Sequence, residues 1–141
     1  MNKTLTSILL IDDNPDDNFI HERAIRKVDA NSIVITKESG EEALTYLTSL
    51  SSCHADLILL DINMPEMNGW EFLEHYSKLD KALQCQSIII MLTTSDNADD
   101  VARSKTLSNV KGFITKPLTK EKMASISEKY FLAPINKISP Q

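Results

Sequence analysis

Short apolar runs recur along the chain, separated by longer segments of mixed polarity. The runs are SILLI (7–11), SIVIT (32–36), DLILLD (56–61), SIIIML (87–92) and GFITK (112–116). Continuous runs of apolar and β-branched residues are typical of strands that are covered on both faces. The pattern therefore predicts the strands of a buried, parallel sheet.

The segments between these runs carry the start signals and the spacing of helices. Asn14 and Pro15 supply an N-cap and a first-turn proline, ahead of a predicted apolar face formed by Phe19, Ile20, Ala24, Ile25 and Val28. N-cap signals also precede three later helices, namely Ser39 with Glu42, Asn68 with Glu71, and Thr119. The segment 97–108 is predicted as a further helix, although its apolar face is thin.

Strands that alternate with helices predict an α/β fold, a doubly wound parallel sheet with helices on both faces. No repeat, low-complexity segment or internal linker interrupts the pattern. Residues 1–131 are therefore expected to form one domain, and residues 132–141 a short C-terminal tail. We interpret the chain as a stand-alone domain with no attached output domain.

Composition and charge narrow the class of protein. The 141 residues are 42% hydrophobic and 25% charged, which is the balance of an ordinary globular domain. The net charge is −5 and no run of lysine or arginine occurs, so no DNA binding is expected. The apolar opening segment is too short to span a membrane, and no membrane association is expected. Cys53 and Cys85 lie far apart without a paired motif, which favours a reducing, cytoplasmic location.

Polar side chains stand at the ends of four predicted strands: Asp12 and Asp13 at the first, Asp61 at the third, Thr93 and Thr94 at the fourth, and Lys116 at the fifth. In a doubly wound parallel sheet these carboxyl ends share one edge, where ligands bind. With the strand order 2-1-3-4-5, the first and third strands are neighbours, so three carboxylates converge there. Because like charges this close repel one another, a hard divalent cation such as Mg²⁺ is the expected partner.

This set of residues resembles the receiver domain of bacterial response regulators in two-component signalling. The resemblance rests on Asp12-Asp13, Asp61, Thr93 and Lys116-Pro117 in this order, and on the string DINMPEMNG after the third strand. It covers about residues 6–131. It implies the flavodoxin-like (βα)5 fold of chemotaxis-regulator-like receivers, with strand order 2-1-3-4-5 and a cis peptide between Lys116 and Pro117.

The resemblance also implies an acceptor and a metal site. Asp61 matches the aspartate that accepts a phosphoryl group. Asp12, Asp13 and Asp61, together with the backbone carbonyl of Asn63, match the residues that hold Mg²⁺, with Asp12 acting mainly through a bound water.

Four further positions match residues that contact or surround the phosphoryl group. Lys116 would pair with phosphoryl oxygens, and Thr93 would donate a hydrogen bond to one of them. Thr94 matches a position where a small residue leaves the site accessible. Thr93 and Phe113 match the switch pair of the family, and Phe113 lacks the hydroxyl of the tyrosine that is frequent there.

The implied function is that of a stand-alone response regulator, which catalyses only its own phosphorylation and slow dephosphorylation. The phosphoryl group would come from a sensor histidine kinase or a histidine phosphotransfer protein. A downstream protein would then bind to the switched surface of a monomer or a phosphorylation-dependent homodimer. The alternative of a relay intermediate, which passes the group on to a histidine phosphotransfer protein, stays open.

Other site types fit the residues less well. A haloacid-dehalogenase-like phosphatase normally has a second acid two residues after its aspartate, where this chain has Asn63. A calcium loop in DDNPDDN lacks its central glycine, and Arg23 stands at the twelfth position in place of an acid. The three histidines, His21, His54 and His75, show no metal-ligand spacing, and we expect His21 and His75 to be ordinary surface or face residues.

Overall fold

The computed structural model describes residues 3–49, 55–84, 87–94, 100, 102–103 and 110–132. The elements in these ranges are β1 (Lys3–Thr4), β2 (Ser7–Ile11), α1 (Pro15–Val28), β3 (Ile33–Lys37), α2 (Gly40–Thr48), β4 (Leu57–Asp61), α3 (Gly69–Ser77), α4 (Lys81–Gln84), β5 (Ile88–Thr93), β6 (Val110–Thr115), α5 (Lys120–Tyr130) and β7 (Phe131–Leu132). Of the helix predicted over 97–108, residues 100, 102 and 103 are helical, and the rest lies outside the described residues. Across the described ranges, none of the helices combines the length and the apolar character needed to cross a membrane.

Five strands form one parallel sheet in the order β3-β2-β4-β5-β6. Counted among these five strands alone, the order is 2-1-3-4-5, which confirms the predicted doubly wound, flavodoxin-like fold. In the register of β2 and β4, Ile11 lies opposite Leu60. The residues that follow, Asp12 and Asp61, therefore emerge side by side at the carboxyl edge of the sheet.

The sheet is covered on both faces by helices. Leu9 and Ile11 of β2 pack into a core cluster with residues of α2 and α3. Ile8 and Leu10, which point the opposite way, pack into a second cluster with residues of α1 and α5. Burial on both faces explains why the strands show continuous apolar runs in place of alternation.

Helix α1 buries only part of the face that its apolar residues predict. Its buried residues are Asn18, His21, Ala24 and Ile25. Phe19 and Ile20 are 63% and 48% exposed, so the prediction was wrong for these two. Residues 18, 21 and 25 fall on one helical stripe because they are spaced by three and four, and this stripe turns Phe19 and Ile20 outward. His21, expected at the surface or on a helix face, is only 1% exposed.

The helix caps follow the sequence signals with one difference. Asn68 and Glu71 form the complete reciprocal capping box at the start of α3. At α2 the side chain of Ser39 accepts from the N–H of Glu42, but the carboxylate of Glu42 accepts from Glu38. The predicted box at α2 is therefore half formed, with its second arm one residue earlier in the chain.

The two ends of the domain meet in a small parallel sheet that the apolar pattern does not predict. Lys3 and Thr4 of β1 pair with Phe131 and Leu132 of β7. Phe131 is buried in the same cluster as α1 and α5, which anchors this sheet to the core. Leu132 thus belongs to a strand, and the remainder of the predicted tail lies outside the described residues.

Candidate functional site

Three carboxylates converge at the carboxyl edge of β2 and β4. Asp12 and Asp61 are 1% and 3% exposed, whereas Asp13 points to solvent. Each of the three offers an oxygen, and these oxygens all lie within 4.8 Å of one another. Carboxylates held this close repel one another, and their hard oxygen atoms are the donors that Mg²⁺ prefers.

The turn after β4 keeps Asp61 at the strand end and returns the chain to the sheet. Glu66 adopts a left-handed backbone with φ of 68°, and the N–H of Gly69 donates to the carbonyl of Ile62 at 2.8 Å. A Cβ on Gly69 would lie 2.8 Å from the backbone oxygen of Asp61. Only glycine therefore allows the first turn of α3 to pack this closely against the end of β4.

Lys116 reaches the carboxylates from the end of β6. The Lys116–Pro117 peptide is cis, as the resemblance implied, and the Lys116 N–H donates to the carbonyl of Thr93 at 2.7 Å. The ammonium nitrogen lies 2.7 Å from Asp12, 3.0 Å from Asp17 and 3.3 Å from Asp61. The structure thus brings the predicted lysine onto the predicted aspartates.

Asp17 is a member of this cluster that the sequence reasoning missed. It lies in the first turn of α1, where acidic residues are common because they stabilise a helix. Its position directly after the strand-end aspartates was a further signal, because the first turn of a following helix lies over the same sheet edge.

Burial and charge set the protonation of the site. Burial, and next the negative charge of Asp12, raise the pKa of Asp61 from 3.8 to about 6, against the opposing attraction of Lys116. Burial also opposes the charge of Lys116, but its close contacts with Asp12 and Asp17 and the charge of Asp61 outweigh it and raise the pKa of the amine. At pH 7, Lys116 is therefore an ammonium group and Asp61 is mostly ionised.

Two buried polar residues of α1 lie beneath the Asp12–Asp13 turn. The side-chain amide of Asn18 donates to the backbone carbonyl of Asp12 at 3.0 Å and so helps to fix the turn. His21 is buried, and within the described part of the chain its Nδ1 atom has no hydrogen-bond partner. Burial lowers the pKa of His21, although the charge of Asp12 opposes that shift, so the imidazole is neutral. His75, in contrast, is exposed as expected.

The remaining predicted site residues also lie at or near this edge. Thr93 is 1% exposed and directly follows Leu92, the residue that pairs with Asp61. Asn63 and Thr94 are exposed in the loops that follow β4 and β5. Phe113 is half-buried beside Met91 and packs against the core cluster on the α2–α3 face. Cys53, His54 and Cys85 lie outside the described residues.

Comparison with known proteins identifies the family of this chain. The family model described as the response regulator receiver domain matches residues 8–128. The two-component response regulator ARR22 of Arabidopsis thaliana is 30% identical, with 86% of this chain and 80% of that protein covered. The probable C4-dicarboxylate response regulator DctR of Halalkalibacterium halodurans is also 30% identical, with 89% of this chain covered. A crystal structure of a two-component response regulator from Cytophaga hutchinsonii has a TM-score of 0.82 at 28% identity, with 91% of this chain and 98% of that chain covered.

The share of its own length that each relative has in common with this chain differs from one relative to the next. The chain spans only 51% of the length of DctR, and the receiver model matches residues 8–128 of this chain. The family match covers most of the chain, and the matched structure shares the fold at a TM-score of 0.82. The chain therefore belongs to the response regulator receiver domain family.

Proposed function

We propose that this chain is a phosphorylation-controlled switch and that Asp61 is its phosphoryl acceptor. The observation that carries the proposal is the placement of the Asp61 carboxylate. It is buried at the rigid end of β4, 3.3 Å from the Lys116 amine and beside the oxygens of Asp12 and Asp13. A carboxylate that only ended a strand would gain more from facing water than from this crowded position.

The donor set fits Mg²⁺. Asp12, Asp13 and Asp61 supply carboxylate oxygens within 4.8 Å of one another, and Asn63 would add its backbone carbonyl. When bound, Mg²⁺ would offset the negative charge of the carboxylates and of the transferred phosphoryl group. Asp13 is exposed, so the site can be reached from solvent.

The residues of the chain can perform the transfer without a general base. Asp61 is mostly ionised above its pKa of about 6, so its oxygen can attack the phosphorus directly. A P–O bond to Asp61 forms as the P–N bond to a donor histidine breaks, and the electron pair of that bond stays on the imidazole nitrogen. Lys116 would hold a phosphoryl oxygen during this loose, in-line transfer.

Thr93 and Phe113 would turn phosphorylation into a change of surface. Thr93 stands at the end of β5 next to the partner of Asp61, and its hydroxyl would donate to a phosphoryl oxygen. Drawing Thr93 inward would leave space for the half-buried ring of Phe113. The surface around β6, α5 and the segment 97–108 would then change its affinity for a downstream protein.

The proposed donors are a sensor histidine kinase or a histidine phosphotransfer protein in the cytoplasm. The same acceptor chemistry serves a terminal regulator and a relay intermediate, and the relay remains our alternative. We propose that residues 1–131 carry the receiver function, as a monomer or as a homodimer that forms on phosphorylation.

Labelling with acetyl phosphate tests the proposal. With Mg²⁺, intact-mass measurement should show one added phosphoryl group that is stable in acid and lost in base. EDTA or Asp13→Asn should suppress the label strongly, and Asp61→Asn should abolish it, because the metal ligand or the nucleophile is missing. Labelling of folded Asp61→Asn at the wild-type level would disprove the assignment.

A further inference from the structure

Asp17 is a fourth carboxylate at the site, and it differs from the other three. Its Oδ2 atom lies 3.0 Å from the amine of Lys116, in both hydrogen-bond and ion-pair geometry. Its side chain is 32% exposed, compared with 2% for Asp12 and 4% for Asp61. It is not one of the three residues whose oxygens come together as a candidate metal site. Among the described residues, Asp17 therefore contacts the reaction centre only through Lys116.

The backbone fixes where Asp17 can reach. The side chain of Asn14 caps α1 and accepts hydrogen bonds from the N–H groups of Asp16 and Asp17, at 2.9 and 3.3 Å. This holds Asp17 in the first helical turn, directly over the Lys116 amine. The ion pair links residues 99 positions apart in the chain, so it joins the start of α1 to the end of β6.

Lys116 has too few N–H donors to serve every nearby acceptor once Asp61 carries a phosphoryl group. An ammonium group has three N–H donors, and the amine already faces three carboxylates, on Asp12, Asp17 and Asp61. A phosphoryl oxygen on Asp61 would need one of these donors. Asp12 and Asp61 also belong to the metal site, whereas Asp17 has no other described side-chain partner at the site and would continue to hold the amine.

We propose that Asp17 is a positioning residue that competes with the phosphoryl group for Lys116 and so weakens the hold of the site on that group. The inference rests on the proposed function, since it takes Lys116 to be the phosphoryl contact. Asp17 lowers the affinity for a phosphoryl group because it occupies a donor of Lys116 that a phosphoryl oxygen would otherwise use.

The neighbouring Asp16 provides a matched control for the charge alone. Asp16 lies in the same first turn of α1 and is exposed, and its replacement removes the same charge from the same helix terminus. Among the described residues, Lys116 forms ion pairs with Asp12, Asp17 and Asp61 and none with Asp16. A general electrostatic effect predicts equal changes for Asp16→Asn and Asp17→Asn, whereas competition for Lys116 predicts a change for Asp17→Asn only.

The test is a titration of the chain with fluoroberyllate, a phosphoryl mimic, at saturating Mg²⁺, followed by ¹⁹F NMR. Asp17→Asn should lower the Kd about 3- to 10-fold, the size expected for a partly exposed, charged hydrogen bond. Asp16→Asn should stay within about twofold of wild type, and Asp17→Glu should restore most of the wild-type value. In a Lys116→Ala background, Asp17→Asn should have no effect, which a merely structural role of Asp17 would not explain.

Two results would overturn the inference, and a third would overturn the proposed function itself. Equal changes in Asp16→Asn and Asp17→Asn would reduce Asp17 to a surface charge and overturn the inference. Weaker binding by Asp17→Asn would also overturn it, because Asp17 would then prepare Lys116 for the anion. If wild type binds fluoroberyllate no better than Asp61→Asn does, the proposed function itself fails.

Discussion

Strand β4 is flanked by two aspartates, Asp56 immediately before it and Asp61 at its last position. The carboxylate of Asp56 accepts three hydrogen bonds, from the N–H and the hydroxyl of Thr6 at 2.9 and 2.8 Å and from the N–H of Ser7 at 3.1 Å. The carboxylate of Asp61 is buried with Asp12 and Asp13 beside one shared lysine at 3.3 Å. Asp56 thus connects the start of β4 to β2. The buried charge of Asp61, in contrast, shares Lys116 with Asp12 and Asp17.

The comparison shows that residue type does not decide whether a strand-end acid is structural or chemical. Half-buried Asp56 has donors that satisfy its charge, and it stabilises the fold. Asp61 has lost most of its water and gained like-charged neighbours, so its ionised form is kept at a cost to stability. Such a group gains from a cation or from covalent modification, and this is the physical basis for assigning the function to Asp61.

The largest expected effect on stability is at Asp56. Asp56→Ala should lower the free energy of unfolding by about 2–3 kcal/mol, because three hydrogen bonds to a charged acceptor are lost. Urea unfolding monitored by the fluorescence of the only tryptophan, Trp70, measures it. Folded Asp56→Ala should still accept a phosphoryl group from acetyl phosphate. Stability equal to wild type would show that Asp56 has no structural role.

Replacement of Asp61 should have the opposite effect on the free energy of unfolding. In EDTA at pH 7.5, Asp61→Asn should raise the free energy of unfolding by about 2 kcal/mol, because it removes a buried charge whose pKa is raised from 3.8 to about 6. The folded state binds this proton more tightly than the unfolded state, so wild type loses stability as the pH rises from about 4 to about 6. The difference between the two proteins should therefore shrink as the pH falls through this range. A destabilised Asp61→Asn protein would contradict the comparison.

Mg²⁺ should offset the destabilising charge of Asp61 and leave the contribution of Asp56 to stability unchanged. At ten times its Kd, Mg²⁺ should stabilise wild type by about 1.4 kcal/mol by mass action. Asp56→Ala should gain as much as wild type, since Asp56 lies at the other end of the strand, and Asp61→Asn should gain less. Urea unfolding with Mg²⁺ and with EDTA provides the comparison. Equal stabilisation of all three proteins would place the metal elsewhere.

The smallest effect on the chemistry is expected at Thr93. Thr93→Ala should still be phosphorylated at Asp61, at a modestly reduced rate, because it loses one contact to the phosphoryl group and no metal ligand. Hydrogen exchange with and without fluoroberyllate should then show a weaker response in residues 93–116 than in wild type. A wild-type response confined to the loops around Asp61 would disprove the proposed switch.

Much of the sheet could be predicted because burial on both faces leaves a clear apolar run. The carboxyl-edge cluster followed from the same pattern, since strand order places Asp12, Asp61 and Lys116 together. The inner face of α1 was predicted only in part. Ala24 and Ile25 are buried as expected, but apolar spacing gives no weight to the polar residues Asn18 and His21, which are buried where Phe19 and Ile20 were expected.

Long-range pairings were also beyond the sequence pattern. Strands β1 and β7 have two residues each and pair across nearly the whole domain, so no periodicity reveals them. The contact between Asp17 and Lys116 likewise depends on where the first turn of α1 lies over the sheet, which a cap signal alone does not specify.

Mapping the phosphoryl group within the full chain tests the central claim most directly. After treatment with acetyl phosphate and Mg²⁺, borohydride reduces an aspartyl phosphate to homoserine, which peptide mass spectrometry locates. We expect homoserine at position 61 and none at positions 12, 13 or 56. Homoserine at another aspartate, or none at position 61 in folded protein that binds Mg²⁺, would contradict it.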